Sequence, residues 1–402
     1  MSARKIEQNR KQRELISERV NRLSPSGIRK FFDLLATMED YISLGVGEPD
    51  YATPWHISEA AVQSLEKGYT MYTSNSGMPE LREETALYLQ EKYDIEYESC
   101  GEILITVGVS EALDLAMRAI LSPGDEVIMP DPHYVAYDSC VILAGGEPVM
   151  VPTSQENNFE VEAKDIEERI TDNTKAILLG YPANPTGAVM SRDKMLAVAE
   201  VARRHNLIVV SDEIYARLVY SVEHTCFASL PGVKDNTILL GGFSKAYAMT
   251  GWRIGYAVAP EEIIAAMTKI HQYTIMSAPT MAQVAAIAAL KSGENDVLEM
   301  VEDYNRRRLI IVKGLNDIGM SCFEPRGAFY AFPSIAATGM KSVEFSDKLL
   351  KEEKVAVVPG AAFGDCGEGY VRCCYATSLA DIEEALTRMG RFVKKYRKVY
   401  PV

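Results

Sequence analysis

The stretch GGFSKAYAMTGWRIGY, residues 241–256, sets Lys245 directly after Ser244 and eight residues ahead of Arg253. The apolar run TILL precedes it, so Lys245 lies near the carboxyl end of a buried strand. A lysine there is partly desolvated and close to cationic Arg253. Both effects lower its pKa and make the amine nucleophilic, as Schiff-base chemistry requires. For any single lysine a plain surface position after a strand is the commoner case, so the neighbouring motifs must decide.

Three other segments offer chemistry at strand ends. VSDEIY (210–215) puts Asp212 just past an apolar run, where a carboxylate can face a ring nitrogen and keep it protonated. YPANPTG (181–187) supplies Asn184, whose amide can donate to an oxygen. TVGVSEAL (106–113) reads as strand, glycine, then Ser110 opening a helix. Free backbone N–H groups and the helix dipole make such a turn an anion site. Singly these are weak: a D-E pair can be solvated, N-P-T-G can be only a turn, and G-x-S can merely cap a helix. Together they give a phosphate cradle, a donor, an acid and a lysine, the set that pyridoxal 5′-phosphate needs.

The elements that must position these residues follow from the pattern. Apolar runs at 102–108, 125–130, 146–152, 175–182, 206–213, 237–244 and 253–260 read as strands. Several are apolar at successive positions, as in strands buried on both faces. Helical patterns such as 110–121 and 191–206 separate them, which predicts a mostly parallel sheet covered on both sides, with ligands beyond the strands' carboxyl ends. The tail changes character. A long helical pattern from about 280 leads to short strands at 327–333, 355–360 and 370–376 and a last helix, a smaller α+β domain. The expected division is 1–50 as an N-terminal arm and part of the small domain, 51–290 as the large cofactor-binding domain, and 291–402 as the small C-terminal domain.

Bulk properties agree. The 402 residues suit two domains, and a net charge of −14 argues against nucleic acid as partner. No run of about 18 apolar residues marks a membrane span, and the charged N-terminus lacks a secretory apolar core. Seven scattered cysteines without a C-x-x-C pair suit reduced thiols in a cytoplasm, and five dispersed histidines make a metal site improbable.

The motifs LGVGEPD, YTSNSGMPELR, TVGVSEAL, YPANPTG, SDEIY, GFSKAYAMTGWRIGY and YVRCCYA, in that order over residues 44–376, resemble the class I/II aminotransferases, fold type I of the pyridoxal-phosphate enzymes. The likeness is to the bacterial and archaeal branch of aspartate, aromatic and N-acetyl-diaminopimelate aminotransferases. It implies a seven-stranded, mostly parallel sheet in a three-layer large domain, and a homodimer with sites at the subunit interface. Carried over by position, Lys245 resembles the cofactor-bearing lysine and proton shuttle, and Asp212 the partner of the pyridine nitrogen. Asn184 and Tyr215 match donors to the cofactor's phenolic oxygen, and Tyr134 matches the ring stacked on it. Gly108, Val109, Ser110 and Arg253 match phosphate contacts. Tyr72 matches a phosphate contact from the other subunit. Gly47 and Arg372 match groups that hold the substrate α-carboxylate, and Ile28 falls in a loop over the site mouth. A cis Asn184–Pro185 peptide is also implied.

Two departures stand out. Many relatives have a hydroxyl residue three before the lysine, where this chain has Gly242, so Ser244 or water must supply that contact. Some aspartate-acting relatives have a lysine where this chain has Ser110, which weakens the case for an acidic side-chain substrate. The implied reaction is transfer of an amino group from an L-amino acid to a 2-oxo acid, with 2-oxoglutarate the expected acceptor, by a ping-pong cycle. The alternative is a lyase on the same fold, such as a carbon–sulfur β-lyase. A regulator using the fold to bind an effector is a third reading, opposed by the acidic charge and by the forty or so residues ahead of ISLGVGEPD.

Overall fold

The computed structural model describes residues 16–23 and 40–397. A short strand β1 (Ile42–Ser43) precedes the large sheet. All seven apolar runs are strands: β2 (Ile103–Thr106), β3 (Glu126–Asp131), β4 (Glu147–Pro152), β5 (Thr174–Leu179), β6 (Ile208–Asp212), β7 (Thr237–Gly242) and β8 (Gly255–Val258). They form one sheet in the order β2-β8-β7-β6-β5-β3-β4. Only β8 runs against its neighbours, being antiparallel to β2 and to β7.

Helices cover both faces, and the strands alternate between the two cores as the two-residue period requires. Ile103 and Ile105 pack with Leu239, Tyr256 and Val258 on one side. Leu104 packs with Ile238, Leu240, Ala257 and Val210 on the other, beneath Leu113 and Met117 of helix Val109–Ile120. Because all of these strands but the edge strand β4 are buried on both faces, apolar residues run consecutively in them, which is what made them readable.

The small domain is built on helix Glu294–Asp317, helix Ser342–Glu353 and helix Leu379–Tyr396, with strands β9 (Tyr330–Ala331), β10 (Val355–Ala356), β11 (Val358–Pro359) and β12 (Val371–Cys374). Strand β1 pairs with β10 in parallel, so the chain around Leu44 belongs to this core, and the Cys374 N–H donates to the Leu44 carbonyl at 2.7 Å. Helix Glu18–Arg22 instead lies against the large domain: Arg19 donates to the Leu143 carbonyl at 3.0 Å and Arg22 forks onto Glu147. Neighbouring Cys373 and Cys374 are both buried, on a strand bonded on both edges.

Candidate active site

Strands β5, β6 and β7 are adjacent, so the chain leaving each brings Asn184, Asp212 and Lys245 to the same edge of the sheet. The reversed strand β8 matters as much. Its first residue, Gly255, lies opposite both Thr106 of β2 and Gly242 of β7. Arg253, two residues earlier, therefore arrives beside the end of β2, where Gly108 opens helix Val109–Ile120. The fit is close: a Cβ on Gly108 would sit 2.7 Å from the Arg253 guanidinium, and one on Gly255 would sit 2.9 Å from Val109 N.

The loop from Phe243 to Arg253 is held rigidly. Ala248 (φ 51°) and Arg253 (φ 52°) are both left-handed, a conformation that non-glycine residues adopt mainly where the surroundings impose it. The surroundings here are aromatic. Phe243 and Tyr247 are buried, the Trp252 ring N–H donates to Thr53 Oγ1 at 2.9 Å, and Thr53 Oγ1–H donates to the Ala248 carbonyl at 2.6 Å.

A cavity of about 510 Å³ lies between the strand ends and the small domain. Val109, Ser110, Tyr134 and Arg253 line it from the large domain, with Asn184, Asp212, Tyr215, Ser244 and Lys245 beneath. Gly47 and Arg372 line it from the small-domain side. Tyr72 is not in this wall; it is 81% exposed. Ile28 lies outside the described residues.

Lys245 Nζ donates to the Gly47 carbonyl at 2.7 Å. Burial pulls the amine down to about 8; Arg372 and Arg253 push the same way, while Cys374 and Glu48 oppose them. Arg372 acts more strongly than Arg253, which the sequence had offered as the neighbouring charge. Asp212 is pushed up to about 6 by burial, against hydrogen bonds from the Tyr137 hydroxyl (2.9 Å) and the Ile214 N–H (3.1 Å) and the charge of Lys245.

Arg372 is 3% exposed and sits over the rings of Tyr330 (4.5 Å) and Phe363 (5.0 Å). Its terminal nitrogens donate to Asn184 Oδ1 at 2.9 Å and the Gly45 carbonyl at 2.7 Å, while Nε is buried without a partner. Since Asn184 accepts with its oxygen, its amide nitrogen is the end left to donate. The Asn184–Pro185 peptide is cis, as the resemblance implies.

Tyr137 and Tyr330 were not singled out in the sequence. Tyr330, on β9, shares a 2.7 Å hydroxyl–hydroxyl bond with Tyr215 and would meet a Cβ on Gly47 at 2.6 Å. Tyr137 stood in the PDPHYVAY segment beside Tyr134, but no spacing rule marks it as the residue that reaches Asp212. Gly242 also has a reason. A Cβ there would lie 3.1 Å from Val109 Cγ2 and 3.3 Å from Ile214 Cδ1, so the valine occupies the room a hydroxyl side chain would need. Ser244, buried and lining the cavity, is the hydroxyl nearest in sequence to the lysine.

These residues fit pyridoxal phosphate. A buried carboxylate without a cationic hydrogen-bond partner faces the cavity, and a helix start with a glycine turn and an arginine stands at one end of it. The model for aminotransferase class I and II matches residues 39–389. The chain belongs to the class I and II aminotransferases. It is 45% identical over 383 residues to an aspartate aminotransferase of Pyrococcus abyssi, covering 94% of this chain and 98% of that protein. It is 43% identical over 387 residues to aromatic-amino-acid aminotransferase 2 of Thermococcus litoralis, covering 96% and 100%. The crystal structure of an aromatic aminotransferase from Pyrococcus horikoshii superposes with a TM-score of 0.87 at 44% identity, covering 91% of this chain and 99% of that one. The family uses pyridoxal phosphate, and its reaction is amino-group transfer between amino acids and 2-oxo acids. The relatives are named for transfer, which places the lyase and regulator readings behind it. Among the described residues no helix is long and apolar enough to cross a membrane.

Proposed function

We propose that this cavity takes an L-amino acid and then a 2-oxo acid, with 2-oxoglutarate as the second, in two half-reactions on one site. One observation carries the reading: Lys245 and Asp212, from adjacent strands, face the same cavity between an anion-binding turn and a buried arginine.

Bound pyridoxal phosphate supplies an electron-accepting pyridine ring that stabilises negative charge at the carbon bearing the amino group. This chain's residues do the rest. The Gly108–Val109–Ser110 turn, Ser244 and Arg253 hold the phosphate. Asp212 holds a proton on the ring nitrogen; Tyr137 and the Ile214 N–H keep the carboxylate aimed. Tyr134 would cover the ring face, and Asn184 Nδ2 and the Tyr215 hydroxyl would donate to the ring oxygen. Arg372, with Gly47, takes the substrate α-carboxylate, which gives the guanidinium's buried Nε an acceptor. Lys245 Nζ, with its pKa near 8, is neutral often enough at physiological pH to take the proton from the donor's carbon in the first half-reaction and to give one to the oxo acid's carbon in the second. Ser110 offers no positive charge to an acidic side chain, which weakens the case for an aspartate-like donor.

Several wider expectations belong to the same proposal. The molecule acts as a homodimer: Tyr72, Met71 and Tyr273 are exposed by 81%, 76% and 84%, an apolar surface suited to a second copy, and Tyr72 would complete the neighbour's phosphate site. The unit boundaries are 51–290 and 291–402, with residues 1–50 divided between arm and small domain. Seven free cysteines suit a reducing cytoplasm.

The test is direct. Purified protein should absorb in the visible, and borohydride should fix the cofactor to Lys245; recovery on another lysine refutes the assignment. A panel of amino acids with and without 2-oxoglutarate then reads the reaction: ammonia and pyruvate released without any oxo acid would restore the lyase reading.

A further inference from the structure

The phosphate turn has a support outside the cavity wall. Glu111, in the first turn of helix Val109–Ile120, bends back so that Oε2 accepts the Val107 N–H at 2.5 Å. Its other oxygen, Oε1, lies 2.7 Å from Nδ1 of His271, which is wholly buried on helix Glu261–Thr274. His271 Nε2 is buried with no hydrogen-bond partner, so Nδ1 is the nitrogen with a use for a proton, and it donates to the carboxylate. Between the two anchors sits the left-handed Gly108 (φ 77°), whose carbonyl accepts from the Thr106 hydroxyl at 3.1 Å and from the Glu111 N–H at 3.1 Å. A buried histidine is thus linked through one carboxylate to the backbone immediately before the anion-binding amides.

We propose that Glu111 and His271 are positioning residues for the phosphate turn: the carboxylate fixes the Val107 amide, the imidazole fixes the carboxylate, and the pair sets the angle at which Val109 and Ser110 present their N–H groups. This rests on the reading that this turn holds the cofactor phosphate. Glu111 lines none of the cavity and touches no reacting atom. The pair also answers an electrostatic difficulty. A carboxylate one helical turn from a phosphate would repel it, and a donated imidazole proton spreads that negative charge away from the turn. The amino-acid carboxylate end of the cavity, around Arg372, is independent of the pair.

The experiment compares two ligands of cofactor-free enzyme, pyridoxal phosphate and pyridoxal, by absorbance titration. Their ratio of dissociation constants isolates what the phosphate contributes. Wild-type enzyme should favour the phosphorylated form by about 100-fold or more. In Glu111→Ala that ratio should fall roughly tenfold, the loss of one charge-assisted hydrogen bond's worth of order, with pyridoxal affinity within about threefold of wild type. Glu111→Gln, whose amide oxygen can still accept from Val107, should hold the ratio within about threefold. A ratio unchanged in Glu111→Ala, or equal losses for both ligands alongside a lower unfolding temperature, overturns the proposal and leaves the pair a helix-to-helix tie. If Glu111→Ala is not recovered folded, His271→Leu replaces it: a fall of about threefold in the ratio is expected and no change overturns. A wild-type ratio near one would instead refute the phosphate reading itself.

Discussion

The cavity has two walls of different construction. The large-domain wall hangs from the ends of strands of four to six residues buried largely on both faces, and its Asp212 and Arg253 are held by groups of the same domain. Asp212 is fixed by Ile214 and Tyr137, and Arg253 by the Thr250 carbonyl at 3.1 Å. The small-domain wall hangs from strands of two to four residues, and its contacts span the chain: Arg372 reaches Asn184 and Gly45, and Tyr330 reaches Tyr215. A wall of the first kind suits a group that stays bound. A wall of the second kind, tied to the first by a few polar bonds that a substrate carboxylate can replace, suits a group that enters and leaves.

Removing the amine that serves both walls should have the largest effect. Lys245→Ala should lower turnover by about 10⁴-fold or more, since among the described residues no other amine lines the cavity to carry the proton. Cofactor binding through the phosphate turn should survive, as judged by retained cofactor after gel filtration. Retained turnover would break the assignment of this wall.

Arg372→Lys is next and acts on the other wall. Lysine offers no parallel fork and cannot keep the Asn184 and Gly45 bonds together. A loss of about 2–4 kcal/mol of transition-state stabilisation, by analogy with truncated buried charge pairs, is roughly 30- to 1000-fold in kcat/KM. The cofactor absorbance should be unchanged. A near-normal kcat/KM for every amino acid tried would show that this wall does not hold the carboxylate.

The two walls also differed in how far the sequence revealed them. Ile103, Ile105 and their counterparts announced strands because burial on both faces removes polar residues from the run. Asp212 and Lys245 then followed from lying at strand ends. Arg372 and Gly47 rested on resemblance alone, because β12 and β1 are too short for any period to show. Tyr330 sat in a run, GAFYAFP, whose residues are nearly all buried, so nothing separated the functional tyrosine from its core neighbours. Gly242 looked like a missing hydroxyl until Val109 was seen against it. The Glu111–His271 pair joins residues 160 apart and leaves no local signature.

A pH test probes the large-domain wall without substrate. The Lys245 amine sits near 8 in the folded protein and at its ordinary value of 10.5 when unfolded. Between those values the unfolded chain binds more protons, so this lysine makes stability rise with pH across that window, and its cost is full below about 8. Raising pH from about 7.5 to 9.5 should stabilise cofactor-free wild type relative to Lys245→Met by roughly 1–2 kcal/mol in denaturant melts. Asp212 has the opposite slope at lower pH: with the folded carboxyl near 6, stability falls as pH rises from about 4 to 6. Parallel pH curves for wild type and Lys245→Met would mean that the amine is not desolvated.

The smallest expected effect concerns the bond that joins the walls. The Tyr215 and Tyr330 hydroxyls are 2.7 Å apart, and Tyr330 Oη lies 3.5 Å from the Gly47 carbonyl that also accepts from Lys245. Tyr330→Phe removes the hydroxyl and keeps the ring beneath the Arg372 guanidinium, so the cation–π contact and the core volume remain. What is lost is one neutral hydrogen bond, about 0.5–1.5 kcal/mol, or roughly 2- to 12-fold. The loss should appear in kcat/KM for the amino acid, because the bond aligns the wall that receives the substrate. Cofactor affinity should stay within about twofold, since Tyr215 keeps its own hydroxyl. Tyr215→Phe breaks the same bond from the other side and also removes the donor proposed for the cofactor oxygen, so it should shift the cofactor absorbance where Tyr330→Phe does not. The double variant then measures the coupling: if the hydroxyl pair ties the walls, its kcat/KM should be clearly higher than the product of the two single losses allows. Fully multiplicative losses would mean that the two hydroxyls work separately and that the walls are joined by the Arg372 and Lys245 bonds instead.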